Sequence, residues 1–253
     1  EKLPNILWSA FDEIISKSAK EILENRGIIV KTGMCVKEIS GNTCVDGVTL
    51  DNGDFIEADA VVLSMGYQPN TEIANKAGIK VNEKDFITRK PSNVMLASTS
   101  CAEARIAGIN LYSLSTLKTF VGTIAIFSTV IGETAFAAAG LSIRNAKEEG
   151  FDVVKGEFNG IDRHPGTLPG TKNQFVELIA TREGGGILGG EVMGGTSSGE
   201  LINMIGLAIQ NRMTARSILT SQIGTHALLT APPTAYPLIK AAESISKQLK
   251  SKA

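Results

Sequence analysis

Few side chains in this sequence combine a reactive type with a spacing that supports chemistry. The cysteines are three, Cys35, Cys44 and Cys101. No two form a Cys-x-x-Cys pair, and their odd number and wide spacing give no disulfide framework. None has a neighbouring histidine or basic cluster to lower its pKa, so structural free thiols are expected. The histidines, His164 and His226, offer no metal-ligand cluster with these cysteines, and no metal is assigned. Asp162-Arg163-His164 is dense in polar groups, but Pro165, Gly166, Pro169 and Gly170 mark it as a turn-rich surface loop. There is no Gly-x-Ser-x-Gly elbow, no His-Glu-x-x-His and no P-loop. "GGGILG" at 184–189 matches a dinucleotide fingerprint literally. That fingerprint needs a strand before it and a helix after it. Here a strand, 187–192, follows, so Gly184-Gly185-Gly186 is expected to be a hairpin tip. No catalytic residue is assigned.

The chain has 253 residues, 43% hydrophobic and 20% charged, which is ordinary for a protein with a real core. Its formal net charge of −1 selects neither nucleic acid nor anionic membrane as a partner. The apolar stretch 120–140 is broken by Gly122, Gly132 and Glu133, so no membrane span is expected. The first residues lack signal-peptide order. A cytoplasmic protein is the expectation.

The pattern of the first half predicts a helix after Ser9 and Asp12, which resemble a capping box. Phe11, Ile14, Ile15, Ala19, Ile22 and Leu23 share one face, and Gly27 closes it. "GIIVKTG" at 27–33 reads as a strand. A β-meander follows, with turns at Gly41-Asn42, Asp46-Gly47 and Asn52-Gly53. Ala60-Val61-Val62-Leu63 reads as a buried strand running into Gly66 and a Pro69-Asn70 turn. A short helical turn and polar loop cover 71–85. A helix covers 94–114, capped by Ser98 or a neighbour.

From about Thr119 the pattern changes. Residues 119–140 are strand-like with a bend at Gly132. Helix 142–150, strands 151–160 and 173–181, a glycine hairpin, strand 186–195 and helices at 198–211, 214–221 and 235–249 follow. An antiparallel sheet with helices on one side is an α+β module. The boundary is placed near 117.

Taken in order, four stretches resemble the C-terminal part of the FAD- and NAD(P)-dependent pyridine nucleotide–disulfide oxidoreductases, in the branch of NADH oxidases and coenzyme A disulfide reductases. "LSMGYQPNTEIA" resembles the strand and turn closing that family's NAD domain. "LASTSCAEARIAGIN" resembles its flavin-facing helix. "ETAFAAAGLSIRNAKEEGFDVV" resembles the start of its dimerisation domain, and "LLTAPPTAYPLIKAAE" its Ala-Pro-Pro segment. The resemblance implies a flavoprotein oxidoreductase fold, α/β plus α+β. Residues 1–117 would be an incomplete Rossmann-like remnant of the NAD- and FAD-binding domains. Residues 118–253 would be an α+β dimerisation domain with an antiparallel sheet.

The resemblance also implies cofactors, FAD and NAD(P)H. Both pyrophosphate-binding glycine loops and the redox cysteine of the family fall upstream of Glu1, so the chain is expected to be a fragment that is inactive and binds no cofactor alone. The family's Gly-Asp carboxylate for the flavin chain is missing, either through a break near Lys84-Asp85 or with Ser100 in its place. Cofactor-binding residues carried over are Gly66, near NAD, and Ala97, Ser98 and Thr99, whose helix N-terminus would face the flavin. Their bland alternatives are a strand-ending turn and a capped packing helix. The Tyr that coenzyme A disulfide reductases place before Ala-Pro-Pro is Thr230 here, and their Tyr-Tyr-Pro-Gly loop is Thr167-Leu168-Pro169-Gly170, which speaks against that activity. His164 and His226 lie near the same segments. A homodimer through the C-terminal domain is the implied partner, with 121–140 and 202–210 as interface or plain core. A non-enzymatic assembly module is the alternative.

Overall fold

The computed structural model describes residues 1–66, 68–78, 84–112 and 117–249. Part of the polar loop expected within 71–85 and the last turn of the helix expected to reach 114 lie outside them. The chain divides into two compact units, Glu1–Asn70 and Thr71–Ala253.

In the first unit, helix α1 spans Glu13–Glu24 and buries Ile15, Ser16 and Ala19. Asp12, not Ser9, holds the N-cap position and makes no capping bond with its side chain. Gly27 ends the helix at φ +83, with the Ile28 N–H donating to the Leu23 carbonyl over 3.2 Å, as a left-handed C-terminal cap requires. Strands β1 (Val36–Gly41), β2 (Val45–Leu50) and β3 (Phe55–Glu57) then form an antiparallel meander.

Three expectations fail here. Asp46-Gly47 is no turn but lies inside β2, where the Phe55 ring of β3 occupies the space a Cβ on Gly47 would need. Residues 28–33 are not a strand; the Gly33 N–H donates to the Leu3 carbonyl and the terminal amine to the Lys31 carbonyl. Residues 60–65 are not a buried strand either: Val62 is 90% exposed and Met65 85%. An apolar run becomes a buried parallel strand only if neighbours supply a ladder on each side, and no described segment pairs with either run.

The second unit opens with α2 (Glu72–Lys76) and the long helix α3 (Ala97–Tyr112). Strands β4 (Ile126–Ile131) and β5 (Thr134–Gly140) form a hairpin with Gly132-Glu133 as its turn, so the expected bend is a full reversal. Helix α4 (Ile143–Glu148) is capped by Ser142, whose hydroxyl accepts from the Asn145 N–H at 3.2 Å. Strands β6 (Val153–Ile161), β7 (Asn173–Thr181) and β8 (Ile187–Gly194) follow, then α5 (Ser198–Gln210), α6 (Ala215–Leu219), a 3₁₀ turn at Pro233–Ala235 and α7 (Pro237–Gln248). The five strands make one antiparallel sheet in the order β4-β5-β8-β7-β6. The β7–β8 hairpin turns at Gly184 and Gly185, at φ +80 and +69, so "GGGILG" is a hairpin tip and no phosphate loop.

Strand alternation sets the layers. Val176, Leu178, Ala180 and Val192 face α5 and α7, where Ile202, Ile205, Ile209, Ala241 and Ile245 complete the main core. Each fully buried Ile or Leu contributes about 1.5–3 kcal/mol. The intervening residues Ile179 and Val153 face the other way and pack with Ala146 of α4. Helices therefore cover mainly one face, with α4 on the opposite one. On that opposite face Glu157, Glu177 and Glu191 stand in register across β6, β7 and β8. Glu177 and Glu191 are buried. Lys155 reaches Glu177 at 3.1 Å and also bonds Glu157. Hydrogen bonding with Glu177, then with Lys155, holds the Glu157 carboxyl below its ordinary range against the opposing effect of burial. No helix among the described residues is long and apolar enough to cross a membrane.

Candidate functional site

Three of the four residues expected at the cofactors, Ala97, Ser98 and Thr99, form the N-terminus of α3. Ala97 is its first residue, and Ser98 and Thr99 complete the opening turn. The helix begins at Ala97, so Ser98 lies inside that turn and does not cap it; the Leu96 carbonyl accepts the first bond, from the Ser100 N–H at 3.2 Å. The first turn of a helix leaves its N–H groups without intrahelical partners. No acidic residue occupies this turn, so its positive dipole end is uncompensated and favours an anion.

Ser98 and Thr99 line a cavity of about 130 Å³ with Ala102, Phe120, Thr123 and Gln210 among its walls. The Thr99 and Thr123 hydroxyls lie 3.4 Å apart. The segment that supplies Thr123 is fixed at both ends. Asn110, late in α3, donates from its amide nitrogen to the Lys118 carbonyl at 2.6 Å and accepts from the Lys118 N–H at 3.1 Å. At the other end the Thr123 N–H donates to the Lys84 carbonyl at 2.8 Å, and its carbonyl accepts from the Phe86 N–H at 2.7 Å. Gly122 makes that approach possible. It sits at φ +124, and a Cβ there would lie 2.8 Å from both the Lys84 carbonyl oxygen and the Phe86 Cα.

Gly66 lies in the first unit, in an exposed stretch at φ +81, a conformation that suits glycine. No atom stands within 4 Å of where its Cβ would be. Sequence reasoning missed Gly122, Thr123 and Gln210. Gly122 carried a signal, being a glycine ahead of an apolar strand, where close backbone approach is common. Gln210 carried none, because it is the last residue of α5 and reaches the cavity only through packing.

The other polar candidates are held by their own loops. The His226 Nδ1 accepts from the Leu228 N–H at 3.2 Å, and the His226 N–H donates to the Thr230 hydroxyl at 3.0 Å. The His164 N–H donates to the Ala227 carbonyl at 3.2 Å, which joins the two loops. Asp162 is buried and accepts from the Lys172 N–H at 2.8 Å, so it anchors its loop. Tyr236 is half-buried, its hydroxyl is 3.9 Å from the Met204 sulfur, and burial pushes its pKa up. Cys44 and Cys101 are exposed and Cys35 half-buried; all three are free thiols.

Comparison with known proteins matches this architecture. The pyridine nucleotide-disulphide oxidoreductase profile matches residues 1–94, and the dimerisation-domain profile of the same family matches 126–235. An NADH oxidase of Methanocaldococcus jannaschii is 25% identical over 280 aligned positions, covering 100% of this chain and 60% of the relative. A dihydrolipoyl dehydrogenase of Geobacillus stearothermophilus is 27% identical over 84% of this chain and 49% of its own length. The chain thus spans about half to three-fifths of these relatives. Among solved structures, an NAD-dependent persulfide reductase from A. fulgidus superposes with a TM-score of 0.87 at 21% identity, over 98% of this chain and 50% of that one. A water-forming NADH oxidase from Lactobacillus brevis gives 0.84 at 16% identity, over 98% and 59%. At these identities the structures speak for the fold.

Proposed function

Since this chain belongs to the pyridine nucleotide–disulphide oxidoreductase family, whose members are flavin-dependent NAD(P)H oxidoreductases, we propose that it serves as the C-terminal half of such an enzyme, of the NADH oxidase or disulfide reductase type. In this reading residues 1–117 derive from the nucleotide-binding domains and 118–253 form the dimerisation domain of a cytoplasmic homodimer.

The carrying observation is the first turn of α3. It is an uncompensated helix N-terminus beside a cavity lined by Ser98 and Thr99. Such a turn suits one polar edge of a ring system that becomes negatively charged on reduction. The cavity is too small for a whole dinucleotide, so these residues would hold one edge of the flavin and no more. When bound, FAD accepts hydride from NAD(P)H and passes electrons to a disulfide or to oxygen. The chain's own residues do less. Ala97, Ser98 and Thr99 orient and stabilise the anionic edge, Thr123 fixes the Thr99 hydroxyl, and Gly66 lets backbone pass close to NAD. No glycine loop of this chain cradles a pyrophosphate, so it binds no FAD and performs no turnover alone.

A non-enzymatic assembly module is the second reading. It is favoured by apolar side chains left at the surface of the sheet edge and α5, where Val130 is 62% exposed and Leu207 57%. Complementation separates the two. The chain is mixed with the part of the M. jannaschii relative that lies outside the 60% this chain matches. Flavin absorbance and NADH oxidation that appear only in the mixture support the enzyme half. A verified complex that stays colourless and inert leaves the assembly role.

A further inference from the structure

A second cavity, of about 250 Å³, opens in the Thr71–Ala253 unit away from the α3 turn. Its apolar walls include Ile87, Phe151, Ile187, Leu188 and Ile209, with Phe86 beside them. Two arginines frame it. The Arg89 guanidinium lies 5.2 Å from the Phe86 ring centroid and that of Arg212 lies 5.9 Å from it.

Both arginines stand on left-handed backbone, at φ +61 and +52. Arg212 follows α5 at the position where a helix ordinarily ends in glycine: its N–H donates to the Ile209 carbonyl at 2.9 Å, and the Met213 N–H to the Ala208 carbonyl at 2.8 Å. Arg89 closes a turn built by Asp85, whose carboxylate accepts from the Ile87 and Thr88 N–H groups at 2.9 and 2.6 Å. The Arg89 guanidinium also donates to the Val121 carbonyl. A non-glycine residue on such backbone is strained, and strain of this kind points to a function for the side chain it aims. Here two separate elements each accept it and aim a guanidinium at one ring.

The charges are not balanced locally. Among the described residues neither arginine forms an ion pair, while Glu149, across from the same turn, is already held by Lys90 at 2.6 Å. Both guanidiniums line the one cavity and are exposed, and a guanidinium fork matches a carboxylate.

We propose that this cavity binds an aliphatic monocarboxylate, with the carboxylate between Arg89 and Arg212 and the chain on Ile187, Leu188 and Ile209. The site does not depend on flavin or on the α3 turn. Its volume lies below that of a typical drug-sized pocket, which suits a short to medium chain.

The test is calorimetric titration of the purified chain with sodium octanoate, 1-octanol and sodium butyrate, with methyl NMR as the map. Octanoate should bind saturably at one site and shift the Ile187, Leu188 and Ile209 methyls. Octanol and butyrate should each bind at least tenfold more weakly, since one lacks the charge and the other most of the chain. The Arg89→Gln/Arg212→Gln variant should weaken octanoate at least tenfold. Both side chains are exposed, so the variant's thermal midpoint should stay near that of the parent; if it does not, the methyl map on the unaltered chain decides. Absence of saturable binding, equal binding of octanol, or shifts confined to other methyls would overturn the proposal.

Discussion

Replacing Gly122 with alanine should loosen the segment that builds the candidate cofactor site. The new Cβ would lie 2.8 Å from the Lys84 carbonyl oxygen and from the Phe86 Cα, both backbone atoms that cannot swing aside. Alanine on left-handed backbone costs about 1–2 kcal/mol. Two hydrogen bonds are at stake, Thr123 N–H to Lys84 and Phe86 N–H to Thr123, at about 1 kcal/mol each. The sum is about 3 kcal/mol, or roughly a hundredfold in the opening equilibrium. The segment meets the main core through Phe86 and Ile124, and the cost falls first on its local opening, so native-state hydrogen exchange is the assay. The Thr123 and Phe86 amides should lose about two decades of protection while β7 amides keep theirs. Gly199→Ala is the control, because no atom stands within 4 Å of its would-be Cβ. Protection at Thr123 and Phe86 within twofold of the parent in Gly122→Ala would refute the reasoning.

Other outcomes follow from the core and the surface. Ile245 of α7 is fully buried, so Ile245→Ala should cost about 2–5 kcal/mol, read as a lower denaturant midpoint at unchanged slope. Gly156→Ala would put a Cβ 2.1 Å from the Ala241 carbonyl oxygen, where α7 lies directly on β6; overpacking of about 1–3 kcal/mol should appear in the same measurement. Glu243 is held at about 2, first by its hydrogen bond with Lys240 and then by Lys247 at 2.8 Å. Its folded pKa is depressed, so its contribution is present above pH 4.5 and lost as pH falls towards 2. The stability gap between the parent and Glu243→Gln should therefore narrow across that window in denaturant melts at pH 3, 5 and 7. Leu207→Lys, on the exposed side of α5, should shift the mass in solution towards monomer at unchanged thermal midpoint if α5 joins the subunits.

The sequence was most legible where local chemistry and tertiary structure agree. The glycine tip at 184–186 needs left-handed backbone, and the alternation of β7 and β8 on either side of it matches the pleat. The helix expected at 142–150 forms as α4, with Ser142 as its cap. Legibility failed where an element depends on distant neighbours. Ala60-Val61-Val62-Leu63 has the composition of a buried strand, but burial is supplied by flanking strands and not by the run itself. Asp46-Gly47 has turn chemistry, yet Gly47 serves instead as a bare surface for the Phe55 ring. At the candidate site, Ser98 and Thr99 could be proposed by resemblance. Thr123 and Gln210 could not, because they reach the cavity through a crossing of segments that no local periodicity encodes. Arg212 was equally hidden, since its left-handed backbone is set by the end of α5 and by no signal in its own residue type.

On the proposed function this chain supplies the dimerisation domain and one flavin-facing turn of an oxidoreductase and holds no dinucleotide alone. Its visible absorbance spectrum tests that most directly, recorded with and without added FAD and NADH beside the mass in solution. The expected result is a colourless dimer whose spectrum is the sum of its parts and which leaves NADH unoxidised. A bound flavin spectrum that bleaches with NADH would contradict it.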